Sequence, residues 1–182
     1  MLSFDIETQG LDASEHEVTC MCAYDPDAGI DVSVLPATGG DPCAFFDELD
    51  RAPVLCAFNG GNFDIPFLMK RFPHEVTAKR AGAWMLKLVD LHEFCLQSMG
   101  VRIKLDSLLA ANGVPVKTGT GVEAIRLAQG EMWEELRDYC RNDVVKTWQL
   151  YNRPAVLVHY NGWRPMHAAL VTGKGWRWIN DN

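Results

Sequence analysis

The sequence contains no run of 18 or more uncharged apolar residues, so no membrane-spanning helix is expected. Its first residues, Met1-Leu2-Ser3-Phe4-Asp5, have neither a basic stretch nor a long apolar one, and do not read as a secretory signal. There is no internal repeat and no low-complexity tract. Histidine is sparse: none of His16, His74, His92, His159 and His167 forms an H-x-x-x-H pair, which leaves no histidine-based zinc motif. Lys117-Thr118-Gly119-Thr120-Gly121 lacks the G-x-x-x-x-G-K-[ST] order, so it is not read as a nucleoside-triphosphate loop. Six cysteines are too few for a disulfide scaffold in a chain this long. Cys20 and Cys22 are two apart, not arranged as C-x-x-C, and in a strand both point the same way. Buried, reduced thiols in a reducing compartment are the expectation.

What the chain has is enough for one domain: 182 residues, 48% apolar and 23% charged. We expect a single domain over 1–182, with a motif-bearing core at 1–152 and an aromatic, basic segment at 153–182. The net charge is −7. It is unevenly spread. Residues 153–182 carry Arg153, Arg164, Lys174 and Arg177 against Asp181, which leaves 13 basic and 23 acidic groups for the rest. An acidic chain argues against bare electrostatic binding of nucleic acid, but not against binding through metal ions held by clustered carboxylates.

Leu2 to Ile6 alternates and predicts a strand. His16–Tyr24 and Ile30–Leu35 are β-rich runs around a Pro/Asp/Gly turn, which predicts a hairpin. Asp41-Pro42 opens a helix to about Asp50, with Asp at N-cap and Pro at N1. Val54–Phe58 predicts a buried strand, 62–72 an amphipathic helix stopped by Pro73, and Met85–Val89 another strand. Asp90 is read as the N-cap of a helix that ends at Gly100. Leu105–Ala111 predicts a helix closed by Asn112-Gly113, and Glu131 to about Tyr151 the longest one. Antiparallel strands first, then strands alternating with helices, suit an α/β fold with a mixed sheet flanked by helices.

Four acids stand out by context. Asp5 and Glu7 lie two apart on the first strand, so both leave the same face. Side by side in a sheet interior they repel and resist desolvation, and a divalent cation removes both objections. The bland alternative is an edge strand whose acids face water. Asp64 follows Asn59-Gly60-Gly61-Asn62-Phe63 at a strand-to-helix junction, where it could simply complement the helix dipole. Tyr139 and Asp143 are i, i+4, one turn apart on one helix face; the bland reading there is a surface acid beside a half-buried phenol.

As a set these residues are far more specific. Ser3-Phe4-Asp5-Ile6-Glu7-Thr8, then Asn59-x-x-x-Phe63-Asp64-x-Pro66-Phe67-Leu68, then Tyr139-Cys140-x-x-Asp143 resemble, in order, the three exonuclease motifs of family B DNA polymerases. The pattern is that of the DEDD exonucleases. The tyrosine points to the DEDDy branch; the branch with a histidine five residues before the last acid is disfavoured, because that position is Asp138. The resemblance covers residues 2 to about 151 and implies a ribonuclease H-like mixed sheet with antiparallel early strands and parallel later ones. It also implies a 3′–5′ exonuclease that releases nucleoside 5′-monophosphates with two divalent cations, Mg²⁺ or Mn²⁺, about 4 Å apart. Asp5 would bridge both ions, Glu7 and Asp143 would complete the water-activating site, and Asp64 would hold the second ion. Tyr139 would orient the attacking water, since a phenol of pKa about 10 is a poor base at pH 7.

The expected partner is nucleic acid, a DNA 3′ end first and RNA second, with no membrane and with a polymerase or replication partner as a further expectation. The expected location is cytoplasmic, or the nucleoid or nucleus. Among substrate contacts, Leu11 resembles the family's apolar wedge (the alternative is a core leucine), and Phe63 is placed to stack on a base or to fill the core. Asn59 resembles an asparagine near the cut strand, the Thr8 amide would meet the terminal 3′ hydroxyl, and Lys117 would contact backbone phosphate. Trp163, Trp176 and Trp178, interleaved with Arg164, Lys174 and Arg177, suit packing better than strand binding. The competing reading is a catalytically idle nucleic-acid-binding module on the same fold.

Overall fold

The computed structural model describes residues 1–100, 102–116, 121–153, 155–160, 166–171 and 177–179. Its main sheet has five strands: β1 (Leu2–Thr8), β2 (Val18–Asp25), β3 (Ile30–Val34), β4 (Leu55–Ala57) and β5 (Leu88–Asp90). Their order is β3-β2-β1-β4-β5. β1, β2 and β3 are antiparallel neighbours, and β4 and β5 continue the sheet in parallel. This is the mixed sheet the sequence predicts, with β1 in its middle.

Alternation along β1 explains the two layers. Leu2, Phe4 and Ile6 enter a core with Phe45, Phe46, Leu49, Ile65, Leu68 and Trp84, from α1 (Cys43–Arg51), α2 (Asp64–Arg71) and α3 (Ala78–Leu86). The opposite face is covered by α7 (Trp133–Tyr151), which packs on β1 and β2. Behind it lies α6 (Gly121–Gln129), whose Ala124, Leu127 and Ala128 join Leu136, Cys140 and Val144 of α7. At the β5 side, α4 (Leu91–Met99) and α5 (Leu105–Ala111) supply Leu91, Cys95, Leu108 and Leu109 to a further cluster.

Local chemistry accounts for most of the boundaries. Pro42 already has helical angles and its carbonyl accepts from the Phe46 amide, while Asp41 Oδ1 accepts the Cys43 amide at 2.9 Å. The helix thus starts one residue later than expected, with Pro42 at the N-cap position and the Asp41 carboxylate holding the Cys43 amide from just outside it. Gly100 ends α4 at φ 69, a left-handed conformation open to glycine.

Three further expectations fail. Met85 and Leu86 belong to the last turn of α3, a helix absent from the sequence reading, so the following strand starts only at Leu88. Helix α6 precedes α7 and is likewise absent from the sequence reading. Cys43 is exposed, whereas the other five free cysteines are buried.

The stretch after 152 yields a second, antiparallel sheet of β6 (Ala155–Tyr160), β7 (Met166–Val171) and β8 (Arg177–Ile179). β6 packs beside α5, and Val156 is buried in the cluster with Leu108, Leu109 and Leu150. Trp163, Arg164, Lys174 and Trp176 lie outside the described residues. Among the described residues no helix is long and apolar enough to cross a membrane.

Candidate active site

Asp5 and Glu7 are half-buried on the middle strand of the sheet rather than on an edge strand, although at the acids themselves β1 is paired only with β2. Their cross-strand partners are Cys22 and Cys20 of β2. The ladder shifts register between Glu7 and Thr8, a bulge-type irregularity immediately after the acidic pair, and pairing resumes at Thr8 with Val18.

Asp64 is brought to the same strand by the end of β4. The Leu2 amide donates to the Val54 carbonyl, so the even-numbered amides of β1 face β4. β4 pairs with β1 only at Leu55 and Cys56 and stops at Ala57. The Ile6 amide therefore lies beyond the ladder, and Asp64 Oδ1 accepts it at 3.0 Å. Asp64 is only 3% exposed. Burial pushes its carboxyl up to about 7, against the pull of the Ile6 amide, and Asp90 pushes the same way. The carboxyl is thus fixed one residue from both Asp5 and Glu7.

Cys140 of α7 ties the last motif to the first: its thiol is 3.6 Å from the Asp5 carbonyl and 4.0 Å from Asp5 Oδ2. Asp5, Glu7 and Cys140 present ligand atoms within 4.8 Å of one another. Tyr139 is half-buried, and Asp143, one turn on, is buried rather than a surface acid.

The turn before Asp64 is held by Asp90. Oδ1 of Asp90 accepts from the Asn59 amide at 2.8 Å and from the His92 and Glu93 amides at 3.0 and 3.2 Å; Oδ2 accepts from the Gly61 amide at 2.9 Å. Asp90 is the predicted N-cap of α4, and it is also the anchor of a turn in which Asn59 has φ 69. Gly60 is required there because a Cβ would sit 2.5 Å from the Ala57 Cβ.

The expected substrate contacts fall in different surroundings. Leu11 is 85% exposed beyond the end of β1 and is not a core leucine. Phe63 packs on Phe67, ring centroids 5.4 Å apart, against the core. Thr8 is buried and its hydroxyl donates to the Gly10 carbonyl at 2.7 Å. Lys117 lies outside the described residues.

Sequence reasoning missed the wall beside Tyr139. A cavity of about 540 Å³ is lined by Tyr139, Asn142 and Lys146 of α7 together with Arg126 of α6. Asn142 and Lys146 follow Tyr139 at i+3 and i+7, so helical spacing alone would have found them. Arg126 sits on the unread helix and is paired with Glu123 at 2.6 Å.

The chain belongs to the RNase H superfamily, whose sequence profile matches residues 2–154. Among solved structures, the family B DNA polymerase of the hyperthermophilic archaeon Pyrobaculum calidifontis shares the fold, with TM-score 0.60 and 21% identity over 82% of this chain and 23% of that one. Exonuclease I of E. coli, solved with a dA16 oligonucleotide, matches at TM-score 0.41 and 18% identity, over 93% of this chain and 51% of that one. Exonuclease I of Methylocaldum szegediense gives 0.40 and 15%, over 93% and 50%. The latter two are loose likenesses. The chain spans about a quarter of the polymerase and about half of each exonuclease I. No curated protein matches the sequence.

Proposed function

We propose that this RNase H-superfamily chain is a metal-dependent 3′–5′ exonuclease of DEDDy type, acting on single-stranded or frayed DNA 3′ ends and releasing nucleoside 5′-monophosphates. The observation that carries the reading is the acidic face of β1. Two carboxylates stand together on the middle strand of the sheet, with Asp64 pinned to the amide between them. Such a set is costly without a cation. Its hard oxygen donors fit Mg²⁺ or Mn²⁺. Asp5, Glu7, Asp64 and Asp143 are the residues that would hold the ions. Bound ions supply the Lewis acidity and positive charge that phosphodiester hydrolysis needs.

The remaining roles belong to the chain itself. Tyr139 orients the attacking water by a hydrogen bond and leaves proton abstraction to others. Leu11, exposed beyond β1, separates the terminal bases. Asn59 and the Thr8 amide flank the 3′ end. Lys146 lines the Tyr139 cavity as a cation for backbone phosphate, among the acids Glu123, Glu135 and Asp138 and with Arg126 paired to Glu123. We read residues 1–182 as a single domain, a reading supported by the packing of β6 on α5.

The test uses 5′-labelled DNA and RNA of one sequence with Mg²⁺, Mn²⁺ or EDTA, resolved on a denaturing gel. A metal-dependent ladder shortening from the 3′ end is the expected result, faster on DNA. Intact substrate in every lane would assign the fold to an idle binding module, and discrete internal cuts to an endonuclease.

A further inference from the structure

Three of the six cysteines converge on one point. Cys20 and Cys22 leave the same face of β2, opposite Glu7 and Asp5 in the ladder, and Cys140 descends on them from α7. All three are fully buried. Their sulfur atoms lie within 4.8 Å of one another, with Cys20 and Cys22 at 3.7 Å. A Zn–S bond of about 2.3 Å puts the edge of a tetrahedral thiolate site at about 3.8 Å. The spacing of two sulfurs is thus already that of two ligands on one ion, and the third needs only a small inward shift. A fourth donor stands beside them, since Asp5 Oδ2 is 4.0 Å from Cys140 Sγ.

We propose that Cys20, Cys22 and Cys140 form a binding site for a soft, thiophilic metal ion, Zn²⁺ in the first instance, directly beside Asp5 and Glu7 on the same face of the sheet. Soft sulfur donors select this ion as hard carboxylates select Mg²⁺ or Mn²⁺. The three thiols release their protons to solvent as the ion binds. The ion reaches them from the half-buried Asp5 and Glu7 side. Because Asp5 borders both sites, zinc in the thiolate site draws on a carboxylate that the hard ions need. The inference stands on the sulfur geometry and does not require the nuclease reading.

The test titrates reduced, chelator-stripped protein with Cd²⁺, a spectroscopic stand-in for Zn²⁺, and follows thiolate-to-metal charge-transfer absorption in the ultraviolet. The expected result is a band that saturates at one equivalent. It should be lost, or shifted to at least about tenfold weaker binding, in Cys22→Ser and in Cys20→Ala, and unchanged in Cys43→Ser, whose thiol is exposed and remote. Thermal melts of the metal-free variants confirm that they fold. Should neither fold, the wild type decides alone: the saturated charge-transfer band must have the intensity of three thiolates on one Cd²⁺, and Zn²⁺ must displace it. Absence of the band in wild type, a band of equal affinity in Cys22→Ser and Cys20→Ala, or an intensity short of three thiolates would overturn the proposal. Cleavage by the wild type with Mg²⁺ is unaffected by that failure, so the two readings fall separately.

Discussion

The two faces of β1 differ in what they ask of the fold. On one, Leu2, Phe4 and Ile6 are almost wholly buried against α1, α2 and α3. Each contributes by leaving water, about 2 kcal/mol for a large side chain. On the other, two residues of the same strand are half-buried acids beneath α7. The apolar face holds the strand in place. The polar face uses that rigidity to keep carboxylates together at a standing electrostatic cost. Stability and chemistry are thus separated by a period of two residues, and substitutions at adjacent positions should fail in opposite ways.

The sharpest break in the comparison comes from neighbours. Asp5→Asn should lower cleavage by about 10³-fold, the scale of losing a principal electrostatic element of a site, while its melting temperature holds or rises because a repelled charge is gone. Phe4→Ala should do the reverse, losing about 3–5 kcal/mol in denaturant unfolding while retaining metal-dependent cleavage at temperatures where it stays folded. Equal losses of stability in both would erase the distinction between the faces.

Smaller effects sharpen it. Asp90→Ala removes the acceptor of four amides and should cost about 2 kcal/mol, since capping and buried acceptors are each worth about 1 kcal/mol or more. Activity should fall with it because the Asn59–Gly61 turn loosens, a joint loss visible as parallel changes in melting and rate. Tyr139→Phe should slow cleavage about tenfold, well short of the larger losses seen when an essential proton carrier is removed, with an unchanged melt. Leu11→Ala should change stability by no more than about 0.5 kcal/mol, as exposed positions do, and show only as reduced separation of paired ends.

The two faces also differ in how far the sequence alone reveals them. The acidic face was legible because Asp-x-Glu on a strand has few stable solutions, and its partners recur as short motifs. Asp64 was legible as an acid at a strand-to-helix junction, but its bond to the Ile6 amide depends on where β4 stops, which no local pattern encodes. Asp90 was legible as a cap through its own helix; its grip on the Asn59 turn spans 31 residues. Helix α3 was lost because Trp84-Met85-Leu86 and Leu88-Val89 are separated only by Lys87, and a short, mostly apolar run does not distinguish strand from helix. With α6 unread, the place of Arg126 beside Tyr139 was not legible. The cysteine trio needed strand register and helix packing together, so Cys20 and Cys22 read as packing alone.

The most direct test of the central claim is a Mn²⁺ titration of wild type and Asp5→Asn followed by electron paramagnetic resonance, with no substrate present. The account predicts that wild type removes Mn²⁺ from solution at the β1 face, and that Asp5→Asn, equally well folded, binds it far more weakly. Equal binding by the two proteins, or none by wild type, would contradict the claim that the polar face of β1 is a metal centre.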